Sequence, residues 1–407
     1  MLTLPQSIFP NHLQFCLTER KGGEFDSTIE FGLQIAVIKE RMVIMKRRLF
    51  ATILSVSTII ALIGNVSATD TLAMSTMDCE TAIRHFSALS NEATYGGMYY
   101  DSNGNLVINV VDSASVGTAD YPIMTLSNSN IEYRVVSHSL SDLEEVKEFL
   151  TPYMAEFNIL VLDANEITNQ VDISLQEYSD KTISCIEDLI ETSYPGIPLN
   201  FINLSGSSLN STVAYEKPVN YNEAASTRST TVIPGIYIEI NNGYYTLGPI
   251  TSSSTAYTAG HNYSGPQTVY IENGTILRTP IGSVSGYCGG SYGDWGIISL
   301  SNCTPAITHS LRDTIAGQEV FMSGANSGKQ SGEVLGTNQT VSIPGAYQPL
   351  TGMYSANYRC ALGDSGAGVF DEDTTKRYAY GIQSSGLFDS NGNWSGLSFF
   401  TPCSKFR

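Results

Sequence analysis

Positive charge is what this chain has least of. Its 407 residues carry 21 Lys and Arg against 39 Asp and Glu, a formal net charge of −18. Nucleic acids are held by basic patches that displace counterions from phosphates, so no nucleic-acid partner is expected. Charge of either sign is sparse, at 15%, while Gly, Ser, Thr, Asn and Tyr abound, as in extracellular β-proteins. Histidines number five, and none stands with cysteines at ligand spacing, so no metal and no other cofactor is expected. Long apolar runs are missing with one exception, Leu49 to Val66. What is present in quantity is apolar side chains, 42% of the total, enough for packed cores in two or three domains.

That one apolar run follows Met45-Lys46-Arg47-Arg48 and ends in Val66-Ser67-Ala68. A basic start, an apolar stretch and small residues at its end read as a signal peptide over 45–68. The run is short for a membrane span and Asn65 interrupts its end. Secretion, with no stable membrane association after cleavage, is therefore expected. Residues 1–44 show no periodicity and are read as an upstream extension outside the working protein, with Met45 as the start.

Charge then divides the remainder. Residues 69–228 carry 23 acidic against 6 basic side chains, whereas 229–407 carry 11 against 8. In the acidic part, Tyr99 to Val110 reads as a β-hairpin about Asn103-Gly104. Ser141 with Glu144 is the expected N-cap of a helix running to Leu150. Asn158 to Leu162 and Gln170 to Leu175 read as a second strand pair. Ser179 to Thr192 reads as an amphipathic helix and Pro198 to Leu204 as a closing strand. Ser205 to Thr231 is polar and is expected to be an exposed linker. The basic Arg228 within it makes cleavage between Ala225 and Val232 the expected processing step.

From Val232 onward the pattern is all-β, with Asn241-Asn242-Gly243 as a hairpin turn and short strands recurring between turn residues. Some 175 residues suit two packed six-stranded barrels. The chemistry sits at Cys360-Ala361-Leu362-Gly363-Asp364-Ser365-Gly366-Ala367-Gly368-Val369. A serine hydroxyl attacks a carbonyl only when a base takes its proton and donors receive the oxyanion. Glycines around Ser365 allow a sharp turn that bares the N–H groups of Gly363 and Ser365 as an oxyanion hole. Upstream, Tyr257-Thr258-Ala259-Gly260-His261 delivers a histidine at a strand end, and Gly293-Asp294 opens an apolar strand. In the candidate catalytic set His261, Asp294 and Ser365, His261 is the base and Asp294 orients it. Their order along the chain differs from those of subtilisin and the α/β-hydrolases.

On these residues the chain resembles the chymotrypsin-like serine peptidases, in their bacterial secreted branch of streptogrisin and α-lytic protease. Val320 to Val334 is similar to that branch's V-C-R-S-G-x-T-T-G-x-x-C-G-x-V segment, with Phe321 and Ser331 where it has a cysteine pair. Tyr95-Gly96-Gly97-Met98-Tyr99-Tyr100-Asp101, leading to Leu106-Val107-Ile108, resembles its pro-region. The resemblance implies an all-β double barrel at 229–407, preceded at 69–228 by an α+β pro-domain that acts as folding template and intramolecular inhibitor. It implies a secreted serine endopeptidase made as a zymogen, monomeric, with protein and peptide substrates. Leu362, Gln383, Ser384, Ser385 and Gly386 would then line the substrate site. No carboxylate stands at the pocket base for a Lys or Arg preference, and no histidine replaces Gln383 for a glutamate preference. A catalytically inactive binding or adhesion module on the same fold is the rival reading. Cys288, Cys303, Cys360 and Cys403 are disulfide candidates, three pairings being open. Cys288 with Cys303 would close the loop around Asp294, leaving Cys360 with Cys403.

Overall fold

Alternating small apolar and polar residues after Val232 give strands, and those strands close into two barrels. In this computed structural model the described residues are 79–116, 131–215 and 230–407, apart from 264, 274, 344–345, 347 and 372–377. The signal peptide at 45–68, the extension at 1–44 and most of the Ala225–Val232 cleavage region lie outside them, as does the expected boundary at 228/229. The described residues belong to one unit, Ser75–Arg407.

Its first part pairs short strands with helices. After α1 (Cys79–Ser87), β1 (Tyr95–Tyr100) and β2 (Leu106–Val110) form an antiparallel hairpin, and β3 (Ile131–Val135) joins β2 in parallel. Asp101 stabilises the turn by accepting the Asn103 and Asn105 N–H groups at 2.9 and 2.8 Å. Helix α2 (Leu140–Leu150) is capped by Ser139, whose hydroxyl accepts the Asp142 N–H at 3.1 Å. Ser141, the expected cap, sits inside the helix. Ser139 prevails because its backbone is extended, as a cap requires, and its hydroxyl lies over the first turn. Strands β4 (Ile159–Asn165) and β5 (Gln170–Leu175) are antiparallel. Helix α3 (Asp180–Ser193), capped by Ser179, leads to β6 (Leu199–Asn203), parallel to β5. Leu143, Val146 and Leu150, spaced for one helix face, pack with Leu162, Val171, Ile173, Ile186 and Ile190 into a core of their own.

The next strand corrects the sequence reading. Residues 205–231 were expected to form an exposed linker, yet β7 (Ser207–Ser211) is a paired strand with Leu209 wholly buried. Leu209 inserts between Val341, Leu350, Met353, Leu387 and Phe399, so apolar burial outweighs the polar composition around it.

The first barrel follows the short strand β8 (Thr231–Val232). It contains β9 (Tyr237–Ile240), β10 (Gly243–Thr246), β11 (Ile250–Ser252), β12 (Thr255–Thr258), β13 (Gln267–Asn273), β14 (Thr275–Cys288) and β15 (Asp294–Leu300). They pair in the order β10-β9-β13-β14-β15-β12-β11. The row's two ends are successive stretches of one chain path with only 247–249 between them, which closes it as six strands. The β9–β10 turn works because Asn241 and Asn242 both take positive φ, 49° and 64°. Strand β14 escapes the sequence pattern because Pro280 and Gly282 interrupt it at a bulge.

Two minor strands, β16 (Thr304–Pro305) and β17 (Ser310–Leu311), precede the second barrel. That barrel comprises β18 (Glu319–Gly324), β19 (Gly328–Val341), β20 (Leu350–Ala356), β21 (Gly368–Phe370), β22 (Tyr378–Asp389) and β23 (Trp394–Pro402). The order β18-β21-β22-β23-β20-β19, with β18 also pairing β19, is a closed six-stranded ring. Phe321 and Ser331 are direct cross-strand partners in it. Strand β19 also pairs β4, so the N-terminal sheet continues into the second barrel.

The disulfide expectation is corrected here. Cys288, Cys303, Cys360 and Cys403 are all free thiols. Each packs into a different apolar cluster. Burial pushes the Cys360 thiol up to about 12 and raises those of Cys288 and Cys403 as well. Such thiols are poor nucleophiles for exchange.

Candidate active site

Strand pairing brings the site together. Strand β12 pairs β15, with Thr258 opposite Gly296, so the three residues after β12 reach the start of β15. His261 and Asp294 meet there. Gly260 permits the approach: a Cβ on it would lie 2.3 Å from the carbonyl oxygens of both Trp295 and Tyr287. Its N–H donates to Asp294 Oδ1 at 2.8 Å. Ser365 comes from the other barrel, on the turn before β21. Asp294 N–H donates to Thr401 Oγ1 at 2.9 Å, which ties β15 to β23 across the seam.

The side chains form one relay. His261 Nδ1 lies 2.5 Å from Asp294 Oδ2, and His261 Nε2 lies 2.9 Å from Ser365 Oγ. Ser384 Oγ donates to Asp294 Oδ2 at 2.5 Å. Asp294 is wholly buried, which by itself would raise its carboxyl. Facing His261, together with hydrogen bonds from Ser384 and the Gly260 N–H, holds it below the ordinary value instead. Tyr245 donates its hydroxyl to the His261 carbonyl at 2.9 Å and fixes that loop from the first barrel.

Gly363 has φ of 102°, a conformation that disfavours any side chain, and this turns its N–H toward the same point as the Ser365 N–H. Both donate to one acceptor, the carbonyl oxygen of Thr212, with Ser365 N at 3.2 Å. Asp364 faces away. Its carboxyl accepts the N–H groups of Ala361, Asn326 and Ser327 at 2.8, 3.0 and 3.1 Å, and the Ser327 hydroxyl. Burial nonetheless raises that carboxyl above its ordinary value.

The expected substrate residues divide. Ser384, Ser385 and Gly386 form one edge of the cleft, alongside residues 210–212. Gln383 lies beneath that edge, accepting from the Tyr358 hydroxyl at 2.7 Å and donating to the Ser385 carbonyl at 2.8 Å. Leu362 is on the rim, 52% exposed, with its carbonyl taking the Asn326 amide N–H. Sequence reasoning missed Tyr245, Thr401, the contact of Ser384 with Asp294, and Thr212. For Thr212 the available signal was Leu209 to Ala214, a short β-forming stretch inside a polar segment. Among the described residues no His, Cys, Asp and Glu group is arranged to hold a metal ion.

Two barrels meeting at a serine, a histidine and an aspartate define a class, the serine hydrolases with a chymotrypsin-type fold. No family model matches the chain. A curated relative, Serine protease 2 of Streptomyces fradiae, is 31% identical over 150 residues, which are 33% of this chain and 80% of the relative. The chain belongs to that family, the bacterial chymotrypsin-like serine proteases. Among solved structures it is similar to Thermobifida fusca Protease A, with 24% identity, coverage of 43% of this chain and 92% of that one, and a TM-score of 0.34. For a Nocardiopsis protease the values are 23%, 43%, 93% and 0.35.

Proposed function

We propose that the chain is a secreted serine endopeptidase made as a zymogen, with Ser365 as nucleophile, His261 as general base and acid, and Asp294 as the group that orients the imidazole. Ser365 Oγ attacks a peptide carbonyl while His261 Nε2 takes its proton. The N–H groups of Gly363 and Ser365 receive the oxyanion. His261 returns the proton to the leaving amine, and water then releases the acyl group by the same relay. Asp294 stabilises the imidazolium through Nδ1. The observation that carries this reading is the continuous path Asp294–His261–Ser365, at 2.5 and 2.9 Å, ending beside two convergent N–H donors.

Residues 69–228 are the pro-region in this reading. Their docking supports inhibition, because the segment 207–214 fills the cleft and leaves Ser365 wholly buried and His261 7% exposed. Secretion is supported by the basic and apolar stretch at 45–68. Among the described residues no helix is long and apolar enough to cross a membrane.

The test is active-site labelling of the mature form with a fluorophosphonate. One adduct on Ser365 is expected, with none after Ser365→Ala or His261→Ala. A mature form that binds peptides but takes no label would be a binding module, and the proposal would fall.

A further inference from the structure

The cleft already contains a peptide, and that peptide belongs to the chain itself. Strand β7 runs antiparallel to β22, with Ser211 opposite Ser385, Asn210 opposite Gly386 and Leu209 opposite Leu387. The Thr212 N–H then donates to the Ser384 carbonyl at 3.3 Å. The Thr212 carbonyl takes both N–H groups of the oxyanion site, and its hydroxyl lies 3.0 Å from Ser365 Oγ. Beyond it the chain crosses to the first barrel. The Ala214 N–H donates to the Tyr244 carbonyl at 3.2 Å, and the Tyr244 N–H donates to the Ala214 carbonyl at 2.7 Å. Backbone pairing therefore grips the chain on both sides of one peptide bond, Thr212–Val213, whose carbonyl lies where an oxyanion would form.

The side chains of this segment are as well fitted as its backbone. Thr212 is wholly buried, its hydroxyl also reaching the Ser384 carbonyl at 3.2 Å. Gln383, which precedes Ser384 on β22, and Tyr358 are both wholly buried and hydrogen-bonded to each other, and Tyr358 packs with Cys360 and Phe400. With Thr212 wholly enclosed, a longer side chain at its position needs room that these packed surroundings do not leave. Asp364, the acidic neighbour of Ser365, is committed to its own four donors and offers nothing to a cation. Leu209, three residues before Thr212, occupies the apolar hole described above.

Resting on the protease reading, we propose that this site cleaves after threonine and comparably small uncharged residues preceded three positions earlier by leucine, and that Thr212–Val213 is its first substrate. Ser365 Oγ adds to the Thr212 carbonyl carbon as its proton passes to His261 Nε2. The bond to the Val213 nitrogen breaks and that nitrogen takes the proton. Water then attacks the Thr212 ester, leaving a Thr212 carboxylate, a Val213 amine and a restored Ser365 hydroxyl. This break lies upstream of the Ala225–Val232 region, so a later trim there is compatible with it.

The experiment has two arms. Intact-mass analysis of the full chain is expected to find a break between Thr212 and Val213, absent in Ser365→Ala. The mature enzyme is then given acetyl-Leu-Asn-Ser-Thr-Val-Ala-amide and versions with Phe or Arg in place of Thr, or Ser in place of Leu. Each change is expected to lower kcat/KM by about tenfold or more, the scale on which a pocket discriminates. An unbroken Thr212–Val213 bond in a preparation that fluorophosphonate labels at Ser365 overturns the proposal and spares the protease reading. So does cleavage of the Phe or Arg peptide as fast as the Thr peptide. Absence of both label and cleavage overturns the two together.

Discussion

Asp294 concentrates what single residues do here. Its carboxylate is wholly buried and satisfied by three donors: the Gly260 N–H, the Ser384 hydroxyl and the His261 ring N–H. Substituting Asn puts an NH2 where one oxygen was, so the imidazole loses the partner that fixes its tautomer. Asp294→Asn is expected to lower kcat by on the order of 10⁴ at neutral pH while leaving the circular dichroism spectrum unchanged. Ser384→Ala removes one donor to the same charge, and hydrogen bonds to charged groups are worth about 1.5–3 kcal/mol. Its kcat is expected to fall by about tenfold or more, with KM moving little. These two variants separate the partner of the imidazole from the partner of the partner.

At this scale the sequence was most legible where chemistry is local. The glycines around Ser365 and the small residues before His261 announce themselves, because the backbone needs them within a few positions. Ser384, Thr401 and Tyr245 act on atoms 90, 107 and 16 positions away in the chain. No neighbour of theirs in sequence marks that role. The four cysteines misled for a related reason: an even count suggests pairs, but pairing depends on where the fold puts each thiol, and these four are free and pack into four different clusters.

Among elements, the junction of β4 with β19 carries a consequence for pH. Thr340 pairs Leu162 and Val341 pairs Val161, and beside them two acidic side chains of the N-terminal part are buried. Asp163 accepts from the Gln339 amide at 2.8 Å, and Glu166 from the Thr337 hydroxyl at 3.1 Å. Burial lifts Asp163 to about 7, with Gln339 and Lys147 opposing and Asp172 and Glu144 adding to the rise. It lifts Glu166 to about 8, with Asp163 and Glu144 adding and Thr337 and Lys147 opposing. Folding raises both, so the folded chain holds protons that the unfolded chain has released above the ordinary values of 3.8 and 4.5. Stability is complete below those values and falls as pH climbs through about 7 and about 8. Each group contributes up to about 1.4 kcal/mol per pH unit across its window. The uncleaved Ser365→Ala precursor is therefore expected to show a lower midpoint of urea unfolding at pH 8.5 than at pH 6. Asp163→Asn, which keeps the acceptor for Gln339, flattens that fall, and an equal fall in both proteins would sink the account. Neither carboxyl was legible in sequence, since Asp163 sits in an apolar strand run as any edge acid would. For β7 the short β-forming stretch from Leu209 is outweighed by polar composition that reads as linker, and its partner strand β22 lies far away in sequence.

For the whole molecule, the question is what the second barrel is without its N-terminal part. Its ring closes through β18 with β19, but the cluster of Val341, Leu350, Met353, Leu387 and Phe399 is completed by Leu160, Val161 and Leu209. Strand β19 finds an outer partner in β4, and the Tyr100 N–H donates to the Ala316 carbonyl at 2.9 Å. The described residues between 79 and 215 thus supply both apolar cover and backbone partners to an element whose own pairings are distant in sequence. Barrels assembled from such pairings fold slowly and leave edges open meanwhile. A preformed α+β body with its own helical core can hold β19 in register while the rest closes. On that ground residues 230–407, diluted alone from denaturant, are expected to yield little or no protein that fluorophosphonate labels. Adding residues 69–212 as a separate chain is expected to restore labelling once the added chain is removed by proteolysis. Full labelling of 230–407 refolded alone would show that the barrels need no template, and would reduce the N-terminal part to an inhibitor.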